Sequence, residues 1–325
     1  MTPTCSPSIL LLGPLQYNGG FTPTHALDPS SPAIDATDVG KTYAEAVLAF
    51  NPLVYYPLDE TSGIDFADAS GNGTDAVAYP TPPNNPGLTE LGQPSLPGLG
   101  TSPSFTNGIP VSSIQVPDLG THSQLTIEAW VKPQSRPEVN DFDVIYNSRN
   151  FNTGAVHLQF TESETLRFTV NGAGEADFGS AADFPLNQWT HVVATYDNGT
   201  DEAQVYVNGE LLSTATFGGD QDAILSVADI GTWNASVREF DGQIDEFAIY
   251  AAVMPPARIV AHYNAAFISP ADQRGGPFTR YAGSKADIGA FEFQAAPYDF
   301  GDALTSFPVT ESQDGARHFV EAIYD

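Results

Sequence analysis

The middle of the chain consists of short runs in which apolar and polar residues alternate, with clusters of turn-forming residues between them. The clearest runs are 125–131, 156–160, 166–170 and 189–196. Strict alternation over four to eight residues is typical of a strand that packs one face against a core. Because such runs recur between about residues 43 and 267, the pattern predicts an antiparallel β-sandwich.

The segment between residues 203 and 214 carries a strong hairpin signal. Asn208 and Gly209 separate two alternating runs, and this pair favours the two-residue type I′ turn, in which both residues adopt positive φ. Residues 255–264 predict a short helix, since two prolines lie at its start and its apolar residues follow a helical period. No other segment has a convincing helical pattern.

The composition supports a chain rich in strands. The 20 Phe and 13 Tyr far outnumber the 2 Met, and the 29 Gly and 26 Pro provide turns between many short strands. The single cysteine, Cys5, supplies neither a disulfide framework nor a paired zinc-thiolate site.

The chain is strongly acidic, with 40 Asp and Glu residues against 11 Lys and Arg and a net charge of −29. This charge repels phosphate backbones and anionic lipid headgroups. The basic residues are scattered, so no nucleic-acid partner is expected. The apolar runs are far too short to span a membrane, so no membrane insertion is expected in this chain. Divalent cations are the more natural ligands for such a chain.

Six segments occur in an order that resembles a known family. They are 55–60, 68–73, 127–131, 188–193, 205–209 and 240–250. Their sequences and order are similar to the laminin-G-like, concanavalin-A-like jelly roll of lectins and glucanases. The resemblance implies an all-β, concanavalin-A-like antiparallel β-sandwich over residues 43–268, with irregular flanking segments.

The flanks resemble a different family. The segments concerned are 12–27, 31–36, 272–275 and 287–292. Together they resemble the terminal segment of bacterial right-handed β-helix proteins, called choice-of-anchor Q, with the sandwich inserted in its middle. Loop tips of folded domains tolerate such insertions because domain termini usually lie close together.

The resemblances give a modular organisation. The predicted domains are 1–42 as the first half of the choice-of-anchor Q-like segment, 43–268 as the jelly roll, 269–294 as the second half, and 295–325 as the start of a truncated surface-protein repeat. Such a series implies a large secreted or cell-surface bacterial protein.

A loop at residues 68–73 predicts a calcium site. Asp68, Ser70 and Asn72 offer a carboxylate, a hydroxyl and an amide oxygen at alternating positions, which suits a cation that prefers oxygen ligands. In the laminin-G-like family the matching loop often shares calcium with an aspartate of the closing strand, here Asp245. The alternative is a plain surface turn, because the loop also contains an Asn-Gly pair.

Several carboxylates crowd residues 239–246 and raise the question of glycoside hydrolysis. Some sandwiches of this shape carry both catalytic carboxylates on one strand. Their laminarinase-type arrangement needs a second Glu two or three residues after Asp241, but Gln243 and Ile244 occupy those positions. Glu239 and Asp241 therefore fit solvated edge residues better. The six histidines form no zinc-binding spacing. The chain is not expected to be an enzyme.

Two segments with loop composition are candidates for ligand contact. Trp233 and Asn234 form the first, in which an exposed ring could stack on a sugar or could instead fold over the edge of the sandwich. Tyr146, Arg149 and Phe151 form the second.

These features favour a non-catalytic, calcium-supported adhesion or carbohydrate-binding module, whose partner is an extracellular glycan or a surface protein. Two alternatives remain open. One is a structural spacer without a ligand of its own, and the other is an accessory domain of a polysaccharide-degrading enzyme whose catalytic part is absent here.

Overall fold

The computed structural model describes residues 12–17, 24–27, 42–79, 90–106, 113–148, 151–233, 237–267, 298–299 and 318–319. The chain divides into two compact units, Met1–Lys41 with Ser269–Asp325 and, separately, Thr42–Ile268. In the first unit, β1 (Leu12–Gln16) pairs with β2 (Thr24–Leu27). The remaining flanking residues lie outside the described part, so the choice-of-anchor Q and repeat assignments stay predictions.

The second unit contains two helices and most of the strands. In chain order its elements are α1 (Tyr43–Leu48), β3 (Val54–Tyr56), β4 (Asp65–Phe66), β5 (Ala76–Tyr79), β6 (Glu90–Pro94), β7 (Thr101–Phe105), β8 (Ser113–Val116), β9 (Gly120–His122), β10 (Gln124–Pro133), β11 (Phe142–Ser148), β12 (Val156–Thr161), β13 (Leu166–Val170), β14 (Gly174–Phe178), β15 (Thr190–Asp197), β16 (Glu202–Val207), β17 (Glu210–Thr216), β18 (Ala223–Leu225), β19 (Ala228–Ile230), β20 (Gly242–Tyr250) and α2 (Pro256–Ala265). In the first unit, β21 (Tyr298–Asp299) pairs with β22 (His318–Phe319).

Sixteen of the eighteen strands described in the second unit form two eight-stranded antiparallel sheets that pack face to face, and β9 pairs separately with β18. The first sheet has the order β17-β16-β15-β10-β20-β7-β6, and β3 also pairs with β20. The second sheet has the order β14-β13-β12-β11-β19-β8-β5-β4. The predicted all-β antiparallel sandwich is therefore confirmed.

Alternation along β10 shows how the sequence builds two cores. Ile127 and Ala129 point between the sheets and join the main core. Glu128 and Trp130 point to the opposite face, where α1 and α2 pack over the first sheet and enclose a second, smaller core. Burying both faces of one strand explains why nearly every residue of β10 is inaccessible to solvent.

The hairpin and the second helix form as predicted. Asn208 and Gly209 have φ values of 51° and 84°, which a type I′ turn requires. Helix α2 begins at Pro256, a position where proline loses no hydrogen bond.

Helix α1 was not predicted, although its start carries a local signal. The Thr42 side chain accepts a hydrogen bond from the Glu45 amide, and the Glu45 carboxylate accepts one from the Thr42 amide. This Thr-x-x-Glu capping box is recognisable in a sequence. The helices of the described residues are too short or too polar to span a membrane.

Candidate functional site

The outer face of the second sheet carries a continuous row of polar side chains, called here the polar row. Adjacent strands place these residues directly opposite one another, in the order Gln115, Asp229, Asn147, His157, Thr169 and Glu175. The flanking residues of the same strands point inward, as Val156 and Leu158 do on either side of His157. Strand alternation thus gives each of β8, β19, β11, β12, β13 and β14 one residue of the polar row.

The centre of the polar row contains buried polar atoms that have no hydrogen-bond partner. Asn147 and His157 are 0% and 1% exposed, and Gln159, two residues along the same face of β12, is 5% exposed. Both amide atoms of Asn147, both ring nitrogens of His157 and Oε1 of Gln159 lack a partner. Each such group costs about 1–3 kcal/mol of desolvation. Three neighbouring side chains with this deficit make this face of the second sheet the candidate functional site.

Aromatic rings stack beside this centre. The Trp233 ring lies parallel to the His157 ring, with centroids 4.8 Å apart and an interplanar angle of 11°. Phe151 lies 5.3 Å from His157 and is 59% exposed. The Arg238 guanidinium lies 4.6 Å from the Trp233 ring and 4.7 Å from the Phe142 ring. The polar centre is therefore bordered by a partly exposed aromatic surface.

The environment keeps His157 uncharged near neutral pH. Burial, together with the charge of Arg238, lowers the pKa of His157 to about 4. A neutral imidazole has one N–H donor and one acceptor nitrogen. Together with the Asn147 amide, it offers donors and acceptors side by side.

The structure separates the residues predicted to contact a ligand. Trp233 forms an isolated antiparallel bridge with Val237, its amide donating to the Val237 carbonyl, and its half-buried ring stacks on His157. Tyr146 is a correction: it lies on β11 instead of in a loop, and its fully buried ring stacks on Phe247 in the main core. Its ring therefore faces the core between the sheets and not the polar row. Asn234 and Arg149 lie outside the described residues.

Sequence reasoning missed Asn147, His157 and Gln159. The alternation of β12 does place His157 and Gln159 on its polar face, and this is the signal that could have singled them out. The neighbouring positions of Asn147 and Asp229 depend on strand order, which no local pattern contains.

The predicted calcium ligands do not all lie together. Asp68 Oδ1 accepts hydrogen bonds from the amides of Tyr55 and Ser70, while Oδ2 accepts from the Ser70 hydroxyl and the Thr74 amide. Burial alone would raise the pKa of Asp68, but these hydrogen bonds outweigh it and lower the pKa. Asn72 Nδ2 donates to the carbonyl of Leu53. The structure therefore brings Asp68, Ser70 and Asn72 into one hydrogen-bonded turn.

Asp245 lies elsewhere, contrary to the expectation that it faces this loop. Tyr55, which contacts Asp68, pairs with Ala248, and three residues of strand separate that position from Asp245 by about 10 Å. Asp245 instead accepts a hydrogen bond from Ser95 and is fully buried. Burial raises the pKa of Asp245 well above its ordinary value. The four residues do not fit one calcium site in this arrangement, and calcium binding itself stays a prediction.

A second buried polar cluster surrounds Glu128 on the helix-covered face of the first sheet. The carboxylate accepts hydrogen bonds from Tyr43 at 2.9 Å and Tyr250 at 2.7 Å, and it contacts His191 at 2.8 Å and His262 at 3.0 Å. Burial alone would raise the pKa of Glu128, but His262 and His191 lower it below its ordinary range. In the described part of the chain, no group of three or more His, Cys, Asp or Glu is arranged to hold a metal ion. Because Tyr43 of α1 and His262 of α2 both contact Glu128 of β10, we interpret this cluster as a structural link between sheet and helices.

Comparison with known proteins identifies the class of fold. Residues 106–260 match the family Laminin_G_3, described as the concanavalin A-like lectin/glucanases superfamily. A search of curated proteins gave no match. The predicted laminin-G-like resemblance is thus confirmed for residues 106–260.

Several solved structures match this chain at low sequence identity. One is domain 4 of AbnA, an extracellular GH43 arabinanase from Geobacillus stearothermophilus in complex with arabinotriose, with 19% identity, coverage of 66% of this chain and 98% of that chain, and a TM-score of 0.47. A botulinum neurotoxin type C structure has 14% identity, coverage of 68% and 52%, and a TM-score of 0.50. Trypanosoma rangeli sialidase has 17% identity, coverage of 65% and 32%, and a TM-score of 0.45.

The sandwich is a concanavalin A-like antiparallel β-sandwich, as the family match and the neurotoxin likeness together establish. This chain spans about half of the neurotoxin chain and about a third of the sialidase chain. Identities of this size describe the fold alone, so function has to be argued from the site.

Proposed function

We propose that this protein is a non-catalytic carbohydrate-binding module of a secreted or cell-surface protein, and that the polar row with Trp233 and Phe151 is its glycan site. The observation that carries the proposal is the group of buried, unpartnered polar atoms on Asn147, His157 and Gln159 beside a partly exposed aromatic surface.

The chemistry of these groups suits a saccharide. A sugar hydroxyl both donates and accepts hydrogen bonds, and the Asn147 amide and the neutral His157 ring provide the complementary donors and acceptors. Sugar rings also present an apolar C–H face, which stacks on rings such as those of Phe151 and Trp233. Ligand sites commonly combine apolar walls with a few placed polar groups of this kind.

The groups at the centre of the polar row favour binding over hydrolysis. Glycosidases use two carboxylates, one on each side of the scissile bond, whereas the unpartnered atoms here belong to amides and a neutral imidazole. The fold itself is compatible with glycan recognition, since the neurotoxin of similar fold depends for cell entry on two ganglioside molecules.

The variant Asn147→Leu tests the proposal most sharply. Leu has nearly the same shape as Asn, so the change removes an unsatisfied amide while filling its space. Replacing such a group is expected to raise the free energy of unfolding by about 1 kcal/mol. The same change should weaken glycan binding at least about tenfold, because binding loses hydrogen bonds worth that much. A site residue often stabilises the fold when it is replaced, whereas a purely structural residue does not.

The binding measurement uses the full chain on an array of oligosaccharides, followed by calorimetry on the best ligand. Phe151→Ala should also weaken binding, and Leu211→Ala serves as the matched control, because Leu211 is 51% exposed on the edge strand β17 of the other sheet. Unchanged affinity in both Asn147→Leu and Phe151→Ala would exclude this face as the glycan site. No binding to any saccharide would contradict the proposed function.

A further inference from the structure

We infer that the glycan site takes acidic saccharides and that Arg238 binds their carboxylate groups through its planar guanidinium; this inference rests on the glycan-binding function proposed above. It adds a ligand class and a specificity-determining residue to that function.

Arg238 lies at the border between the polar row and the aromatic surface. Its guanidinium lies over the Trp233 ring at 4.6 Å and over the Phe142 ring at 4.7 Å, and the Trp233 ring stacks in turn on His157. The charge of Arg238 contributes to the lowered pKa of His157, as a cation nearby must. The Arg238 side chain is half-buried, so a ligand bound against the His157 ring also meets the guanidinium.

The guanidinium of Arg238 is held by its charge and not by its N–H donors. Among the residues that the structure describes, none forms an ion pair with it, whereas Arg136 and Arg167 both have such partners. Cation–π contacts with two rings use the positive charge and leave the N–H groups to other acceptors. Burial lowers the pKa of Arg238 and the charge of Asp141 raises it, but an arginine in a protein stays protonated.

The second arginine beside Phe142 shows what the first one lacks. Arg167 lies 5.5 Å from the Phe142 ring, and its guanidinium donates two hydrogen bonds to Asp177, at 2.7 and 2.9 Å. This two-point pairing is the geometry in which arginine binds a carboxylate most strongly. Arg238 offers the same planar group beside the polar row, where the carboxylate of a ligand can occupy the position that Asp177 occupies on Arg167.

Two acidic side chains compete with such a ligand. Asp141 affects the pKa of Arg238, but its carboxylate accepts a hydrogen bond from the Phe142 amide at 2.9 Å. Asp229 belongs to the polar row and accepts a hydrogen bond from Ser113, but its strand β19 lies two strands from β12, at about 10 Å. Because Coulomb energy falls with distance, a carboxylate bonded to Arg238 gains more from the guanidinium than it loses to Asp229.

The net charge of −29 opposes anionic ligands at long range and slows their approach. Salt screens this repulsion, with a Debye length of about 8 Å at physiological ionic strength, whereas a contact pair at a partly buried site is screened less. The preference for acidic saccharides is therefore expected to be measurable at physiological salt.

The test uses oligosaccharide pairs of equal length and linkage, in which a uronate is compared with its carboxyl-reduced, neutral counterpart. Trigalacturonate with the galactotriose of the same linkage is one such pair, and the pair that binds best on the array is taken to calorimetry with the full chain. In about 0.15 M salt the parent should bind the acidic member at least about tenfold more tightly, because hydrogen bonds to a charged group are roughly twice as strong as neutral ones.

The variants separate the guanidinium from general charge. Arg238→Gln should abolish the preference and change the affinity for the neutral member by less than about threefold, since it removes the charge and the planar donor group. Arg238→Lys keeps the charge alone and should retain a smaller preference than the parent. Arg258→Gln is the matched control and should keep the full preference, because Arg258 is also half-buried and lies over a ring, that of Phe50 at 5.7 Å, but belongs to α2. Thermal unfolding checks that each variant is folded.

Any of four results would overturn the inference and leave the proposed function intact. The first is a parent that binds the neutral member as tightly as the acidic one. The second is a preference undiminished in Arg238→Gln or, where that variant is unfolded, in Arg238→Lys. The third is an equal loss of affinity for both members in Arg238→Gln, since Arg238 would then only support the Trp233 ring. The fourth is the same loss of preference in Arg258→Gln, which would assign it to overall charge. Binding of neither member of any pair would contradict the proposed function as well.

Discussion

At the scale of single residues, burial shifts the pKa of two side chains in opposite directions: it lowers that of His157 and raises that of Asp143. Burial, together with the charge of Arg238, lowers the pKa of His157 to about 4. Burial, together with the charges of Asp241 and Asp141, raises the pKa of Asp143 to about 7. Both groups therefore change protonation between folded and unfolded states over the same pH range, with opposite consequences for stability.

The His157→Gln variant should lose less stability in acid than the parent. Between pH 6.5 and 4 the unfolded chain protonates this histidine while the folded protein does not, so in the parent its contribution to stability falls as pH falls. Replacing it should reduce the difference in unfolding free energy between about pH 7.5 and about pH 4.5 by about 2 kcal/mol. Denaturant unfolding at the two pH values measures this difference.

Asp143→Asn provides the opposite comparison. The folded protein binds a proton at Asp143 below about pH 7 while the unfolded chain binds it only near pH 4, so this group stabilises the fold at low pH, and the stability is lost as pH rises through 7. Its removal should make the loss of stability in acid larger than in the parent. If the two variants changed the pH profile in the same direction, at least one of these assignments would be wrong.

At the scale of elements, polar side chains connect the helices and loops to the sheets. Helices α1 and α2 are too short to be stable alone, and Tyr43 and His262 connect them to Glu128 on β10. Asp68 connects the loop between β4 and β5 to β3, because its carboxylate accepts hydrogen bonds from the amides of Tyr55 on β3 and Thr74 in the loop. Each of these elements therefore depends on one carboxylate.

Glu128→Ala should destabilise the fold by about 3–5 kcal/mol, because it leaves two buried histidines and two tyrosines without their shared acceptor. Tyr43→Phe removes one donor and should cost about 1 kcal/mol. Hydrogen exchange should show loss of protection first in α1 and α2. An effect of Glu128→Ala as small as that of the exposed control Glu210→Ala would mean that the helices do not depend on this cluster.

Asp68→Ala, measured in the presence of a chelator, separates the role of Asp68 as a hydrogen-bond acceptor from its predicted role as a calcium ligand. Since the carboxylate accepts three hydrogen bonds from its own loop and one from the Tyr55 amide on β3, its loss should cost about 1–3 kcal/mol without any metal. Thermal unfolding provides the measurement. Equal melting temperatures for the variant and the parent in chelator would instead favour a role as a metal ligand only, and a calcium-dependent rise in the parent alone would support the predicted calcium site.

At the scale of the whole molecule, the sandwich contains both of its hydrophobic cores and the helix contact that joins its two ends. The main core lies between the two sheets, and the second core lies between the first sheet and the two helices. Helix α1 near the start and α2 near the end of Thr42–Ile268 pack against each other, so both ends of this unit are held by its own contacts.

A chain limited to residues 42–268 should therefore fold on its own. We expect a cooperative thermal transition, a strand-type circular dichroism spectrum and resistance to limited proteolysis, since both cores lie entirely within this range. Starting the chain after α1 should lower the melting temperature, because Tyr43 and Val47 belong to the second core. An unfolded 42–268 chain would contradict the predicted independence of this domain.

The sequence by itself determined the elements whose signals are local. Alternation predicted β10, β12 and β13, Asn208 and Gly209 predicted the hairpin, and the two prolines with a helical period predicted α2. These predictions are correct because backbone sterics and the alternation of side chains along a strand depend only on a few neighbouring residues. Helix α1 was equally predictable from its capping box, since that signal is local too.

Only the tertiary structure decided which distant residues share a site. Asn147, His157 and Asp229 come together because β12 and β19 both pair with β11, and this strand order results from packing the whole sandwich. For the same reason Asp68 and Asp245, which the sequence suggested as partners, lie apart. Asp68 lies in the loop between β4 and β5, whereas Asp245 is a buried residue of β20. A side chain's type and period define which face it occupies, but its neighbours across the sheet depend on contacts that no local pattern encodes.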